Sequence, residues 1–309
     1  MERILPLELV GTEKLDYDLL DEKGDLIFPK GEFLTASVLI KLSYLKLYKH
    51  EFVSIEMPDI KIGLSEQKSI ESLIKQSAGS ELLIDTRNIL QKAYDNVPVK
   101  LEECVKSTKI IIDEVSAAFK NIYCIDQLRI YDEYTYSHNI NVASLSTAVG
   151  MMLNLDEKEI KELALGAFLH DIGKMKIPKE VLNKPDKLDN KEREIMRRHT
   201  SAGYRYIKEN FEIADRIARV ALDHHEKFAG KGYPNGINGV LINKYAQIVN
   251  IVDIYDALAS DRVYKKGIPR AKVLEIMTNE LKNDFNRNFF EKFLILANPD
   301  YEPEEAPES

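Results

Sequence analysis

The chain has 309 residues, of which 44% are hydrophobic and 30% charged, with a formal net charge of −8; this is an ordinary globular balance with material for about two domains. The acidic charge argues against general nucleic-acid binding, which needs a broad basic face to displace counterions. It does not argue against a small anionic ligand, because a few cations in one cleft outweigh a modest global charge. No apolar run approaches the roughly 20 residues that span a bilayer, and the N-terminus, MERILPLELVGTEKLDYD, lacks the apolar region of a signal peptide. Cys104 and Cys124 make no disulfide framework and read as small buried hydrophobes in a reducing cytoplasm. A cytoplasmic protein with no membrane and no nucleic-acid partner is expected.

Residues 1–60 read as a small α/β module. In DYDLLDEKGDLIFPKGEFL two short apolar runs are broken by Lys23-Gly24 and Pro29-Lys30-Gly31, which marks a β element with turns. TASVLIKLSYLKLYKH reads as one helix followed by a short strand reaching EFVSIE. Residues 61–122 turn helical. SEQKSIESLIKQ, LLIDTRNILQKAYDN and VKLEECVKSTKIIIDEVSAAFKNI carry apolar residues at three- and four-residue spacings, with Pro98 breaking the middle. This stretch is either a helical connector or a dimerisation surface, so a homodimer is one expectation. Residues 123–298 read as nearly all helix, with loops at 173–190 and 226–243. Residues 299–309 form an acidic, proline-rich tail expected to be disordered. The fold class is therefore mainly α: a helical bundle with a small N-terminal α/β module and a helical connector.

Of the six histidines, His50 lies in the N-terminal module and reads as incidental. The others have recognisable settings. In LDEKEIKELALGAFLHDIGK, Ile160, Leu163, Ala164, Ala167 and Phe168 form an apolar stripe whose continuation reaches His170 and Asp171. A buried carboxylate is costly unless paired or metal-bound; taken alone, the pair also reads as a hydrogen bond capping a core helix, which Gly173 ends. In DEYTYSHNINVASLSTAVGMML, Tyr134, His138, Val142, Leu145, Val149 and Met152 share one face, so His138 points inward, as a ligand or as a satisfied core histidine. In DNKEREIMRRHTSAGYRYI, Asp189 and Glu192 suggest a capping box. Ile195, His199 and Ala202 share a face there, and Gly203 permits close helix packing. In YAQIVNIVDIYDALASDRVY, Val249, Asp253 and Asp256 lie together on an apolar helix, where an aspartate needs a cap, an ion pair or a metal. His224 and His225 stand side by side before the glycine-rich stretch FAGKGYPNG. One metal site accounts for these five histidines and two aspartates together, where separate explanations must be found one by one. Histidine and carboxylate ligands suit iron, manganese or zinc, and the lack of cysteine ligands argues against a structural zinc.

YTYSH, HDIGK at 170–174, RRHTSAG, HHE at 224–226, GKGYPNG at 230–236 and NIVDIYDALASDRVY at 250–264 occur in this order. Together they resemble the HD-GYP family of cyclic-di-GMP phosphodiesterases, a branch of the HD-domain metal-dependent phosphohydrolases, over about residues 125–265. The resemblance implies hydrolysis of cyclic-di-GMP in bacterial second-messenger signalling, at a binuclear centre inside a helical bundle. Carried over by motif, His138, His170, Asp171 and Asp253 hold one metal. Asp171 bridges to a second, held by His199, His224 and His225. Some members place a glutamate four residues before the first histidine and hold a third metal; Tyr134 stands there, so two divalent ions are expected, iron first and manganese second. The family's GYP loop is associated with partner proteins, and DEKGDLIFPKGEFLT resembles modules that precede such domains, which implies regulation or partner contact.

Phosphodiesters resist hydroxide because they are anionic and have poor leaving groups. Two metals roughly 3.5–4 Å apart lower the pKa of a bridging water and offset the developing charge; Asp171 would set their spacing. Lys174 reaches a phosphate oxygen, or is a helix-terminal cation favoured by the dipole. Arg262 grips a phosphate bidentately, or pairs with Asp261. Lys231 and Gly232 belong to a loop whose glycines let backbone approach a guanine or a phosphate closely. Tyr233 stacks, donates a hydrogen bond, or packs the loop beneath Pro234.

Three positions depart from the family pattern. Ala229 stands for an aspartate, Asn243 for a proline, and Phe285-Asn286-Arg287 for Phe-Asp-Pro. Ala229 removes a carboxylate that fixes the loop or tunes a histidine, which bears on turnover. The alternatives are a weakly active or inactive cyclic-di-GMP receptor or interaction module, and an HD phosphohydrolase acting on another nucleotide.

Overall fold

The structure, a computed structural model, describes residues 74–119, 125–130, 134–184, 186–260 and 267–298, together with Leu15, Tyr301 and four short strands. The expected helix beginning at TASVLIKL, most of SEQKSIESLIKQ, Cys124, Arg262 and the tail beyond Tyr301 lie outside the described residues. By its contacts the chain divides into two units, Met1–Glu71 with Lys120–Gln127 and Leu294–Ser309, and Ser72–Phe119 with Leu128–Phe293.

In the first unit the strands are β1 (Glu2–Ile4), β2 (Asp18–Leu20), β3 (Leu26–Phe28) and β4 (Leu47–His50). They form one antiparallel sheet in the order β1-β4-β2-β3. Leu19 pairs with Phe28 of β3, and with Lys49 of β4 on its other side. Leu19 is buried, and His50 lies at the end of β4.

The second unit is helical among the described residues. The connector contributes α1 (Gln76–Tyr94) and α2 (Leu101–Ala118), on either side of Pro98. Next come α3 (Tyr134–Met152), α4 (Glu157–Leu169), a 3-10 turn at Ile172–Lys176 and the short α5 (Lys179–Leu182). They are followed by α6 (Asn190–Arg197), α7 (His199–Asn210), α8 (Asp215–Asp223), α9 (Lys244–Ala259), α10 (Arg270–Asn279) and α11 (Arg287–Ala297). Asp156 and Asp189 each cap a helix through a capping box, with Glu159 and Glu192 as reciprocal partners. Asn243 caps α9 by accepting from the amides of Tyr245 and Ala246.

The centre of this unit is made by α3 packed against α4 and α9, with α8 against α4 and α9. The one-sided reading of α3 needs correction. Val142, Leu145 and Val149 are buried, as the stripe predicts, but so are Asn139, Asn141, Ser144 and Thr147 on other faces. A helix at the middle of a bundle has no solvent side, and its polar residues must find partners inside. Asn139 donates to the carbonyl of Phe168 and Thr147 to that of Ala143.

Two local differences from the sequence reading have physical causes. Gly173 does not end α4 with a left-handed turn. It sits in the 3-10 turn, where a Cβ would lie 1.9 Å from the carbonyl oxygen of His199 and 2.4 Å from the amide nitrogen of Gly203. Its role is backbone contact between the HD turn and α7. The expected single helix through His199 is interrupted at Arg198, whose ψ is −15°. The side-chain Nδ1 of His199 takes the carbonyl of Met196 at 2.7 Å at the break.

Candidate metal centre

The 3-10 turn after α4 brings His170 and Asp171 to the middle of the bundle. Helix α3 delivers His138, the start of α7 delivers His199, the end of α8 delivers His224 and His225, and α9 delivers Asp253. His138, His170, Asp171, His199, His224 and Asp253 are all buried, and the His225 side chain is about one quarter exposed at 24%. The structure brings together all seven metal-ligand candidates. Asp171 Oδ2 lies 3.4 Å from His170 Nε2 and 3.6 Å from His138 Nε2. Its Oδ1 lies 3.5 Å from His199 Nε2 and 3.9 Å from His224 Nε2. Asp253 Oδ1 lies 3.2 Å from His138 Nε2, and its Oδ2 lies 4.0 Å from His225 Nδ1. Asp171 therefore stands between two groups, His138 with His170 on one oxygen and His199 with His224 on the other.

The outer nitrogens show which way the rings face. His170 Nδ1 donates to the carbonyl of Ala167 at 2.7 Å, and His199 Nδ1 to that of Met196 at 2.7 Å. His224 Nδ1 donates to the carbonyls of Val220 and Ala221, each at 3.1 Å. His138 Nδ1 donates to the Asp256 carboxylate at 2.8 Å. A carbonyl can only accept, so the proton sits on Nδ1 and the Nε2 lone pair is left facing inward. Asn250 donates to the carbonyl of His224 at 2.7 Å and so fixes the backbone that carries the histidine pair.

Electrostatics agree with this geometry. Burial pushes the pKa values of His199 and His224 down, and that of His225 down to about 4. These rings are neutral at pH 7, the form that donates a lone pair. Burial opposes ionisation of Asp171, but the Lys174 ammonium that pairs with it outweighs burial and holds the carboxyl well below the carboxylate range.

The substrate candidates are placed as follows. Lys174 ion-pairs directly with Asp171 and keeps 39% of its side chain exposed, so it reaches from the metal site toward solvent. Tyr233 lies with its ring 4.7 Å from that of His225, and its amide donates to the carbonyl of His225. Gly232 packs where a Cβ would come within 2.4 Å of Glu226 Cα, so its lack of a side chain is required. Lys231 is exposed with a φ of 71°, and Arg262 lies outside the described residues.

Four residues of the site were not assigned from sequence. Glu226 accepts from the amides of Asn235 and Gly236 and holds the loop over the histidine pair. The Arg197 guanidinium lies over the Tyr233 ring, 5.0 Å from its centre. Asp256 and Arg129 form a buried pair behind His138. Glu226 had a signal, the third letter of HHE. Asp256 had one too, standing one helical turn after Asp253. Arg197 had one as well, the first letter of RRHTSAG. Arg129 had none, since an arginine far away in sequence carries no mark of its partner.

A metal fits these residues. His170 Nε2 and Asp171 Oδ1 are buried and make no hydrogen bond, an expensive state for two such strong acceptors unless a cation takes them up. His138, His170 and Asp171 present donor atoms within 4.8 Å of one another, and so do His199, His224 and His225. The donor set is nitrogen and carboxylate oxygen, which suits divalent transition metals. This is a divalent-metal site.

The family model of the HD domain matches residues 123–288, over half of the chain. The chain belongs to the HD-domain family. It is 36% identical over 188 residues to the cyclic di-GMP phosphodiesterase PA4108 of Pseudomonas aeruginosa, covering 60% of this chain and 45% of the relative. It is 36% identical over 148 residues to the 3'3'-cGAMP-specific phosphodiesterase 3 of Vibrio cholerae, covering 48% of this chain and 32% of the relative. The chain thus spans less than half the length of each. Among solved structures it is similar to Bd1817, a HDG"Y"P protein from Bdellovibrio bacteriovorus, with a TM-score of 0.57, 15% identity and coverage of 94% of this chain and 97% of that one. That likeness concerns the fold.

Proposed function

We propose that the chain hydrolyses the phosphodiester bonds of a cyclic dinucleotide, cyclic di-GMP first, at a centre of two divalent ions. The observation that carries this reading is the position of Asp171 between His138 with His170 and His199 with His224, beside Lys174. His138, His170, Asp171 and Asp253 hold one ion, and His199, His224, His225 and Asp171 the other. Iron is the first choice and manganese the second. When bound, two such ions lower the pKa of a water and offset the charge of the phosphate. The chain's own residues orient the reaction. Asp171 fixes the spacing of the two ligand groups, and Lys174 turns its ammonium to a phosphate oxygen. Tyr233, held between His225 and Arg197, packs the loop against the histidine pair.

The domain boundaries follow the same reading. Residues 123–298 form the hydrolase domain, 61–122 a helical connector, and 1–60 a module for regulation or partner contact in a cytoplasmic signalling protein. The loop at 230–236 is a second surface for a protein partner, and the connector one for a homodimer.

Ala229 motivates a second reading, a receptor that binds cyclic di-GMP with little turnover. The anchoring of the loop favours the enzyme. Glu226 holds Asn235 and Gly236, and Lys227 pairs with Asp284 at 2.6 Å, so the loop is fastened without a carboxylate at 229. The test is product analysis with full-length protein purified without oxygen and loaded with Fe²⁺ or Mn²⁺, given cyclic di-GMP and 3′3′-cGAMP separately. Linear dinucleotide or mononucleotide is expected from cyclic di-GMP. Tight binding without product indicates the receptor, and cleavage of 3′3′-cGAMP alone moves the substrate assignment.

A further inference from the structure

Behind His138 lies a polar cluster that no metal ligand belongs to. Asp256 is fully buried, and its two oxygens are used differently. Oδ2 accepts from His138 Nδ1 at 2.8 Å. Oδ1 accepts from Arg129 Nε at 3.0 Å, from Asn141 Nδ2 at 3.1 Å and from Ser260 Oγ at 3.2 Å. Arg129 is 2% exposed and also donates from a terminal nitrogen to Ser260 Oγ at 2.5 Å. Asn141 grips the backbone of the next residue, accepting from the Ile130 amide at 2.7 Å and donating to the Ile130 carbonyl at 3.1 Å.

Such a cluster is costly to build. A buried ion pair is no bargain for stability, because desolvating the charges offsets their attraction. A buried arginine and aspartate with every bond directed is better explained by what they hold. Of the four nearest metal-ligand imidazoles, three hand their Nδ1 proton to a main-chain carbonyl, whereas His138 hands it to a carboxylate. A carboxylate partner fixes the ring and makes its inner nitrogen a stronger donor. It can swing about its own χ angles, however, as a carbonyl in a helix cannot. Arg129, Asn141 and Ser260 remove that freedom.

We infer that Arg129 and Asn141 are positioning residues that act through Asp256 and His138, and that this brace sets the affinity of the ion held by His138, His170 and Asp171. The inference rests on the two-ion reading above.

The test is a titration of the full-length, metal-free chain with Mn²⁺ alone, reading free Mn²⁺ by electron paramagnetic resonance well below the melting temperature. Wild type is compared with Asp256→Asn, Arg129→Gln, Arg129→Lys and Asn141→Ala, with His138→Ala as reference. We expect wild type to bind two ions. Asp256→Asn and Arg129→Gln should weaken one of them by about 10- to 100-fold, the same ion that His138→Ala loses, and Arg129→Lys should recover part of the loss. A purely structural role lowers the melting temperature of these variants and leaves both affinities unchanged; that result in folded protein overturns the brace. If Asp256→Asn does not fold, Arg129→Gln and Asn141→Ala decide alone. A wild-type chain that does not bind two ions overturns the two-ion reading and the brace with it.

Discussion

Asp171 shows how much a single residue carries here. Burial makes its charge expensive, and the Lys174 ammonium beside it offsets that. Burial also keeps the neighbouring histidines neutral, and a pH dependence follows. In the metal-free chain, burial holds the pKa of His225 at about 4 against an ordinary value of 6.5, and lowers those of His199 and His224 as well. The unfolded chain takes up these protons near pH 6.5, whereas the folded chain leaves His225 neutral until about pH 4. The unfolded state thus binds more protons in this window, and stability falls as pH drops from about 6.5 toward 4, on the order of 1 kcal/mol per pH unit. Urea unfolding with chelator at pH 7.5, 6 and 5 measures it; a stability that stays level over this range contradicts neutral buried imidazoles. At this scale the sequence was informative about ligands and silent about what stands behind them. His170 and Asp171 continue an apolar stripe, so their inward direction could be read from spacing. Asp256 shares a face with Asp253, but only the fold shows that one faces the metal and the other faces Arg129, which is 127 residues away along the chain.

Among the elements, the HD turn and α7 depend on a contact between two glycines. A Cβ on Gly173 would stand 1.9 Å from the carbonyl oxygen of His199, and main chain cannot move aside as a side chain can. Gly173→Ala is therefore expected to cost about 3 kcal/mol or more and to displace His199 from Asp171. Thermal unfolding together with metal content checks this; a variant with wild-type stability and full metal occupancy contradicts it. The sequence signalled helices well where they start at capping boxes, as at Asp156 and Asp189. It was weaker for α3 and α9, because periodicity locates a solvent face and these helices are buried nearly throughout. It also merged α6 and α7, since the break at Arg198 is made by a side chain taking a helix carbonyl, which leaves apolar spacing unchanged.

Across the whole molecule, the helical unit brings residues from 138 to 253 to one point, and none of the described helices is long and apolar enough to cross a membrane. The motif order made the helical HD-domain fold legible from sequence, because HD, HHE and DIYDAL each carry residues of the buried histidine–aspartate cluster. What precedes that domain was far less legible, since short strands and turns suit many modules. The account as a whole stands on two ions acting together across Asp171. The most direct test is the rate of cyclic di-GMP hydrolysis as metal-free, full-length protein is titrated with Mn²⁺ under tight-binding conditions. The account predicts negligible hydrolysis up to one equivalent and a rate that rises with the second. Full activity at one equivalent, or none at two, would contradict it.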